Sequence, residues 1–310
     1  MFQGLYAVLV TPFQENGEVD ETSVDRLVEF YLEHNVSGLV TLSVMGEGLQ
    51  LTDDEKMRVA RRVVRRTGDR VPVVVGINNR EATTAAQFAR RVVDLGVSGL
   101  LVMPPSQPGL ETAITHYRTI ADAAPVAIAI LDYPPLTGKL PVPFLKALVE
   151  AVDAIRGIKL EDTPTPAKIQ QLRNAVGSRL QILGAMGGLH CLPELEAGSN
   201  GLMTGYAYPE HLVDILNQFQ SGDVAGAIAT YSQWLPLLEC EQKYGLALRK
   251  ESLRQRGAIA SAKVRMSGVT MNNNIRLELD RVLKQLELRG DSNVRLSEQS
   301  NSRDGLYSLR

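Results

Sequence analysis

Short apolar runs rich in β-branched residues alternate along the chain with stretches in which apolar residues return every three to four positions. The runs cover 5–11, 38–43, 71–77, 99–103, 126–133, 154–161, 180–185 and 201–206. Each has the length and composition of a buried strand. Between them, Val24, Leu27, Val28, Tyr31 and Leu32 share one helical face, as do Ala85, Phe88, Ala89, Val92 and Val93. Thr52 followed by Glu55 reads as a capping box, and Thr163-Pro164 as a cap with proline at the first helical position. Strand and helix in strict alternation predict an α/β fold with a parallel sheet. Eight such units predict a closed (β/α)8 TIM barrel rather than an open doubly wound sheet. The open sheet would carry a Gly-x-Gly-x-x-Gly turn after its first strand, and residues 11–17, TPFQENG, are not one.

Beyond Pro209 the strand pattern stops and helical periodicity continues over 210–220, 224–240, 243–255 and 273–288. The chain therefore divides into a catalytic barrel over 1–222, a C-terminal helical extension over 223–290 and a flexible, polar, serine-rich tail over 291–310. Such a layer would cover the barrel mouth or build a contact between subunits.

Composition narrows the partners. With 310 residues, 44% of them hydrophobic, the chain can bury one large core, and a formal charge of −2 gives no reason to expect nucleic acid or an anionic membrane. A small-molecule substrate fits better. Cys191 and Cys240 are the two cysteines, no charged amino-terminal region leads into a long apolar stretch, and no run approaches the roughly 20 apolar residues of a membrane span. The expectation is a cytoplasmic protein with free thiols.

One residue breaks the apolar pattern. Lys159 stands in the run Ala154-Ile155-Arg156-Gly157-Ile158-Lys159-Leu160-Glu161, and a buried ammonium is costly unless it is paired. Either it pairs with Glu161 or Asp162, or it sheds its proton and becomes a nucleophilic amine. Strand alternation points Gly157, Lys159 and Glu161 to one side, inside the barrel, and Ile158 and Leu160 towards the helices. Glu161 then flanks the amine. Barrel sites lie at the carboxyl ends of strands, where strand two runs into Ser43-Val44-Met45-Gly46-Glu47-Gly48 and strand five into Asp132-Tyr133-Pro134-Pro135-Leu136-Thr137-Gly138. Glycine in the first turn lets backbone amides approach an anion. The second turn brings a phenol and a carboxylate to the mouth.

The opening segment 4–12, the Gly46-Glu47 turn, the Gly157-Ile158-Lys159 strand and the proline turn ending in Thr137-Gly138 together resemble the dihydrodipicolinate synthase/N-acetylneuraminate lyase family of class I aldolases. The resemblance spans about residues 3 to 290. It implies a lyase in which Lys159 condenses with the keto group of pyruvate or another 2-oxo acid, with Ser43, Met45 and Gly46 cradling the carboxylate and Met203 beside the pyruvate unit. It also implies a homo-oligomer, a dimer or tetramer, and no cofactor.

The chain departs from the family pattern in its hydroxyl groups. Val44 and Met45 fill positions of threonine type, Leu131 falls in the place of the proton-shuttling tyrosine unless a one- or two-residue shift lets Tyr133 serve, and Leu136 replaces a carboxylate-binding arginine. Pro105 or Ser106 falls where a neighbouring subunit lends a tyrosine. A divergent branch is implied. There Glu161 and Asp132 would act as acid and base, with Glu47, Asp132 and Gly205 among the groups around the substrate, a set suited to dehydration or retro-aldol cleavage. The alternatives are dihydrodipicolinate synthase proper and a catalytically degenerate barrel that binds 2-oxo acids.

Other signals are weaker. The glycines of 184–188 and Gly205 sit where many barrels hold phosphate, yet no Lys or Arg lies in either loop. Lys243, Arg249, Lys250, Arg254 and Arg256 read as a solvated helix face or a subunit contact. His34, His116, His190 and His211 are scattered without metal-ligand spacing, so a metal-free mechanism is expected.

Overall fold

The computed structural model describes residues 1–106, 109–268 and 270–286. The predicted tail and positions 287–290 lie outside the described residues. Strands β1 (Gly4–Val8), β2 (Gly38–Thr41), β3 (Val73–Ile77), β4 (Gly99–Val102), β5 (Ala127–Asp132), β6 (Ile155–Leu160), β7 (Gln181–Gly184) and β8 (Gly201–Thr204) close into one parallel barrel in sequence order. Every predicted run overlaps one of them. Helices α1 (Glu21–Glu33), α2 (Asp53–Thr67), α3 (Ala82–Val93), α4 (Leu110–Ala123), α5 (Pro134–Thr137), α6 (Val142–Ala151), α7 (Thr165–Val176), α8 (Cys191–Glu196) and α9 (Pro209–Gln220) follow the strands. The fold is the expected (β/α)8 barrel.

Strand alternation sorts the apolar side chains into two layers. Tyr6, Val8, Val40, Val74, Leu101, Ala129, Leu131, Leu183 and Met203 fill the inside of the barrel, with Phe2 plugging its lower end. Leu5, Ala7, Leu39, Val73, Val75, Leu100, Ile128, Ile158 and Leu160 pack outwards against the helices. Gly157 belongs to the inner layer, where a methyl group would meet the Phe2 ring at 2.7 Å. Its neighbour two residues on, Lys159, therefore points inwards, opposite Leu131 on β5 and Leu183 on β7.

Caps agree with the sequence at α2, where Thr52 and Glu55 form the reciprocal box. They differ at α7. That helix starts at Thr165 with Pro164, not Thr163, as its flanking residue and no side-chain cap, and the Thr165 hydroxyl donates to Glu194 Oε1 at 2.6 Å.

The helical layer differs from expectation in one respect that matters for the site. The two helices predicted over 224–240 and 243–255 are one element, α10 (Val224–Gln255), bent at Gly245, whose φ of 61° and ψ of −136° leave the helical region. Glycine tolerates that left-handed φ without a Cβ clash. A further helix spans 273–286. Beyond the bend, the basic face does not sit in solvent as the sequence suggested: Arg249 is 2% and Lys250 0% exposed. The bend turns these positions down onto the barrel, while Lys243 and Arg254 stay largely exposed. No helix among the described residues is long and apolar enough to cross a membrane.

Candidate active site

The carboxyl ends of the strands open onto a cavity of ≈ 580 Å3. Its walls come from Val44 and Met45 after β2, Tyr133 after β5, Lys159 and Glu161, Gly187 after β7, Thr204 and Gly205 at β8, and Gln242, Gly245, Leu246 and Arg249 of α10. Met266, from the segment that follows α10, closes one side. A volume of this size suits a small organic acid.

Lys159 is 4% exposed, and its Nζ lies 2.7 Å from Glu161 Oε1 inside this cavity. The Glu161 amide donates to the Asp132 carbonyl at 2.8 Å, which extends the β5–β6 ladder past the strand ends and fixes the carboxylate beside the amine. Tyr133 lines the same space. Burial, reinforced by the negative charge of Glu161, raises its phenol above the ordinary tyrosine value, so the hydroxyl keeps its proton at neutral pH. Leu131 lies one layer deeper, in the apolar barrel interior.

Asp132 stands elsewhere. The alternation that turns Leu131 and Tyr133 inwards turns Asp132 out, where its fully buried Oδ2 meets Lys168 Nζ at 2.6 Å. Lys168 also donates to Asp162 at 2.9 Å. Burial pushes the Asp132 carboxyl up to about 6 against the pull of Lys168. This carboxylate braces β5 against α7 and does not line the cavity.

The turn after β2 is held from several sides. Thr11 Oγ1 donates to the Gly46 carbonyl at 2.5 Å, Asn78 Nδ2 to that of Leu42 at 2.6 Å, and the amides of Glu47 and Gly48 turn back to Val44 and Ser43. Leu42 and Glu47 adopt φ of 58° and 56°, an uncommon conformation for residues with side chains. Among the described residues, the amides of Val44 and Met45 donate to no backbone carbonyl. Met45 lines the cavity, whereas Ser43 and Gly46 sit just beneath it, Ser43 Oγ accepting the Gly46 amide at 3.4 Å. Met203 is buried below them in the barrel interior. Gly205 lines the cavity as expected.

Glu47 also differs from the expected contact with substrate. It is fully buried, with Oε1 2.5 Å from Lys250 Nζ and Oε2 accepting from the amides of Arg265 and Met266 at 2.7 and 2.5 Å. Lys250 donates in addition to the carbonyls of Thr11 and Lys263, both at 2.7 Å. Burial lowers its amine to about 8 although Glu47 acts the other way. The pair ties the β2 turn to α10 and to the segment carrying Met266.

Arg249 and Gln242 escaped the sequence reading because their approach to the strand ends depends on the bend at Gly245. Thr204 ends β8 and Gly187 follows β7, and those positions at strand ends were the signal available in the sequence.

Comparison with known proteins identifies the family. Residues 1–286 match the Dihydrodipicolinate synthetase family. The chain belongs to that family. An L-2-keto-3-deoxyarabonate dehydratase from Azospirillum brasilense is 28% identical over 294 residues, 92% of this chain and 94% of that protein. A 4-hydroxy-tetrahydrodipicolinate synthase from Alkaliphilus oremlandii is 30% identical over 251 residues, 78% of this chain and 84% of that one. The crystal structure of dihydrodipicolinate synthase from Rhodopseudomonas palustris matches with a TM-score of 0.84 at 31% identity, covering 91% of this chain and 97% of its own. With dehydratase and synthase relatives of this coverage, the protein is an enzyme of the lyase class.

Proposed function

We propose that the protein removes water from, or cleaves, a hydroxylated 2-oxo acid through an imine formed on Lys159. The observation that carries the reading is a lysine 4% exposed on the inner face of β6, opening on a cavity and 2.7 Å from a carboxylate that can take its proton. Transfer of that proton to Glu161 frees the amine lone pair to attack the C2 carbonyl. Glu161 then returns the proton to the carbinolamine hydroxyl, which leaves as water and gives the iminium. The substrate carboxylate rests on the free amides of Val44 and Met45.

The iminium draws electrons from C3. Glu161, a carboxylate again after that step, takes a C3 proton and leaves an enamine, whose electrons expel the hydroxyl at C4 as the Tyr133 phenol protonates it. Aldol cleavage would use the same enamine, formed by breaking the C3–C4 bond. The dehydratase relative, which spans 92% of this chain, and the apolar Val44, Met45 and Leu131 support the elimination branch. A pyruvate-condensing synthase is the second reading, favoured by the synthase relatives at 30–31% identity.

Borohydride added with pyruvate tests the imine: a stable adduct at Lys159 is expected, and none in Lys159→Ala. If Glu161→Gln retains full turnover while Lys159→Ala abolishes it, the proton role of Glu161 is wrong. Turnover of 2-keto-3-deoxy sugar acids against pyruvate-plus-aldehyde pairs separates the two branches. Family membership further supports a cytoplasmic dimer or tetramer, which sedimentation and cell fractionation measure.

A further inference from the structure

We propose that Arg249 is a specificity-determining residue that grips a second carboxylate at the far end of the substrate, so that the enzyme prefers 2-oxo acids with an acidic terminus. This rests on the imine reading of Lys159 and names the substrate class of the same cavity.

The guanidinium is almost wholly buried, at 2% exposure, yet it is only partly used. Nε donates to Glu241 Oε2 at 3.1 Å, which spends one of five N–H donors. Among the described residues neither Nη atom has an acceptor, and the side chain lines the cavity. A guanidinium whose stem is buried and whose Nη donors open on the cavity presents a fork that a planar carboxylate meets with two parallel hydrogen bonds.

The surroundings leave room for such a ligand. A methyl group at Gly205 would lie 3.2 Å from Nη1, and one at Gly187 would lie 3.6 Å from Nη2 and 2.9 Å from Gln242 Oε1. Glycine at both strand ends lets the guanidinium lie close over β7 and β8 while its Nη donors face the cavity. Glu241 is itself buried and accepts the Ala207 amide at 3.1 Å, so it holds the guanidinium in one orientation before any ligand arrives. The cavity thus offers an amine on β6, free amides after β2 and a guanidinium over β7 and β8. An elongated acid with carboxylates at both ends would meet all three. The other cation on the walls, Lys139, is exposed at the rim and makes no ion pair among the described residues, so water screens it.

The test compares kcat/KM for pairs of 2-oxo acids that differ only in ending as carboxylate or as hydroxymethyl. The native enzyme should favour the acid by ~10–100-fold, the worth of a charge-assisted hydrogen-bond pair. Arg249→Met combined with Glu241→Gln, which leaves no uncompensated buried carboxylate, should abolish that preference chiefly through KM. Arg249→Lys should keep part of it. No preference in the native enzyme, an equal loss on both substrates, or a preference that vanishes in Lys139→Met instead, each overturns the inference. Borohydride trapping of pyruvate by the native enzyme judges the imine separately. Should trapping fail, calorimetric binding of the two ligands to native and doubly substituted protein still decides whether Arg249 holds a carboxylate.

Discussion

Glu194 on α8 lies fully buried behind β7, and replacing it with glutamine tests how the fold tolerates an acid there. The Thr165 hydroxyl donates to Oε1 at 2.6 Å, while Oε2 has no partner among the described residues. Burial lifts the carboxyl to about 8; the Thr165 bond opposes this and the charge of Glu161 adds to it. The folded protein therefore keeps this proton at pH 7, whereas the unfolded chain has released it. Between the ordinary 4.5 and about 8 the folded state binds more protons than the unfolded one, so stability falls as pH rises through that window. The slope is about 1.4 kcal/mol per pH unit, or about 5 kcal/mol over the whole window. Glu194→Gln keeps an oxygen for Thr165 and has no proton to lose. Urea unfolding of both proteins at pH 5, 6, 7 and 8 gives the difference in which other groups cancel. The variant should gain about 4 kcal/mol relative to the native protein from pH 5 to pH 8. A difference that stays constant across these pH values refutes the argument.

Lys250→Met should destabilise the protein by about 3–5 kcal/mol, since it strands a buried carboxylate, and adding Glu47→Gln should restore part of that; a denaturant midpoint unmoved by the single change would count against the pair. Tyr133→Phe removes the proposed proton donor and should lower kcat by about 10²-fold or more in steady-state assays. A drop under about threefold would move that role to another group.

Much of the barrel was legible because each strand is buried on both faces, which writes β-branched runs directly into the sequence. The inward orientation of Lys159 followed from the two-residue period alone. Carried one residue further on β5, the same period would have turned Asp132 outward, as the structure does; its place in a turn beside Tyr133 masked that. Glu47, Arg249 and Lys250 were illegible for a different reason. Their roles depend on a long-range fold-back, set by the bend at Gly245, that brings Lys250 against a turn near the start of the chain and Arg249 over the ends of β7 and β8. Charged residues at helical spacing look like a wet surface until the element they lie across from is known.

That bend divides labour along the polypeptide. The reactive amine belongs to the central part of the chain, while one side of the chamber around it is completed by α10 and Met266. On the proposed reading, the nucleophile and the second carboxylate's grip come from separate stretches of sequence. If that reading holds, grafting residues 242–266 from a relative should change the preference of the chamber while Lys159 stays where it stands.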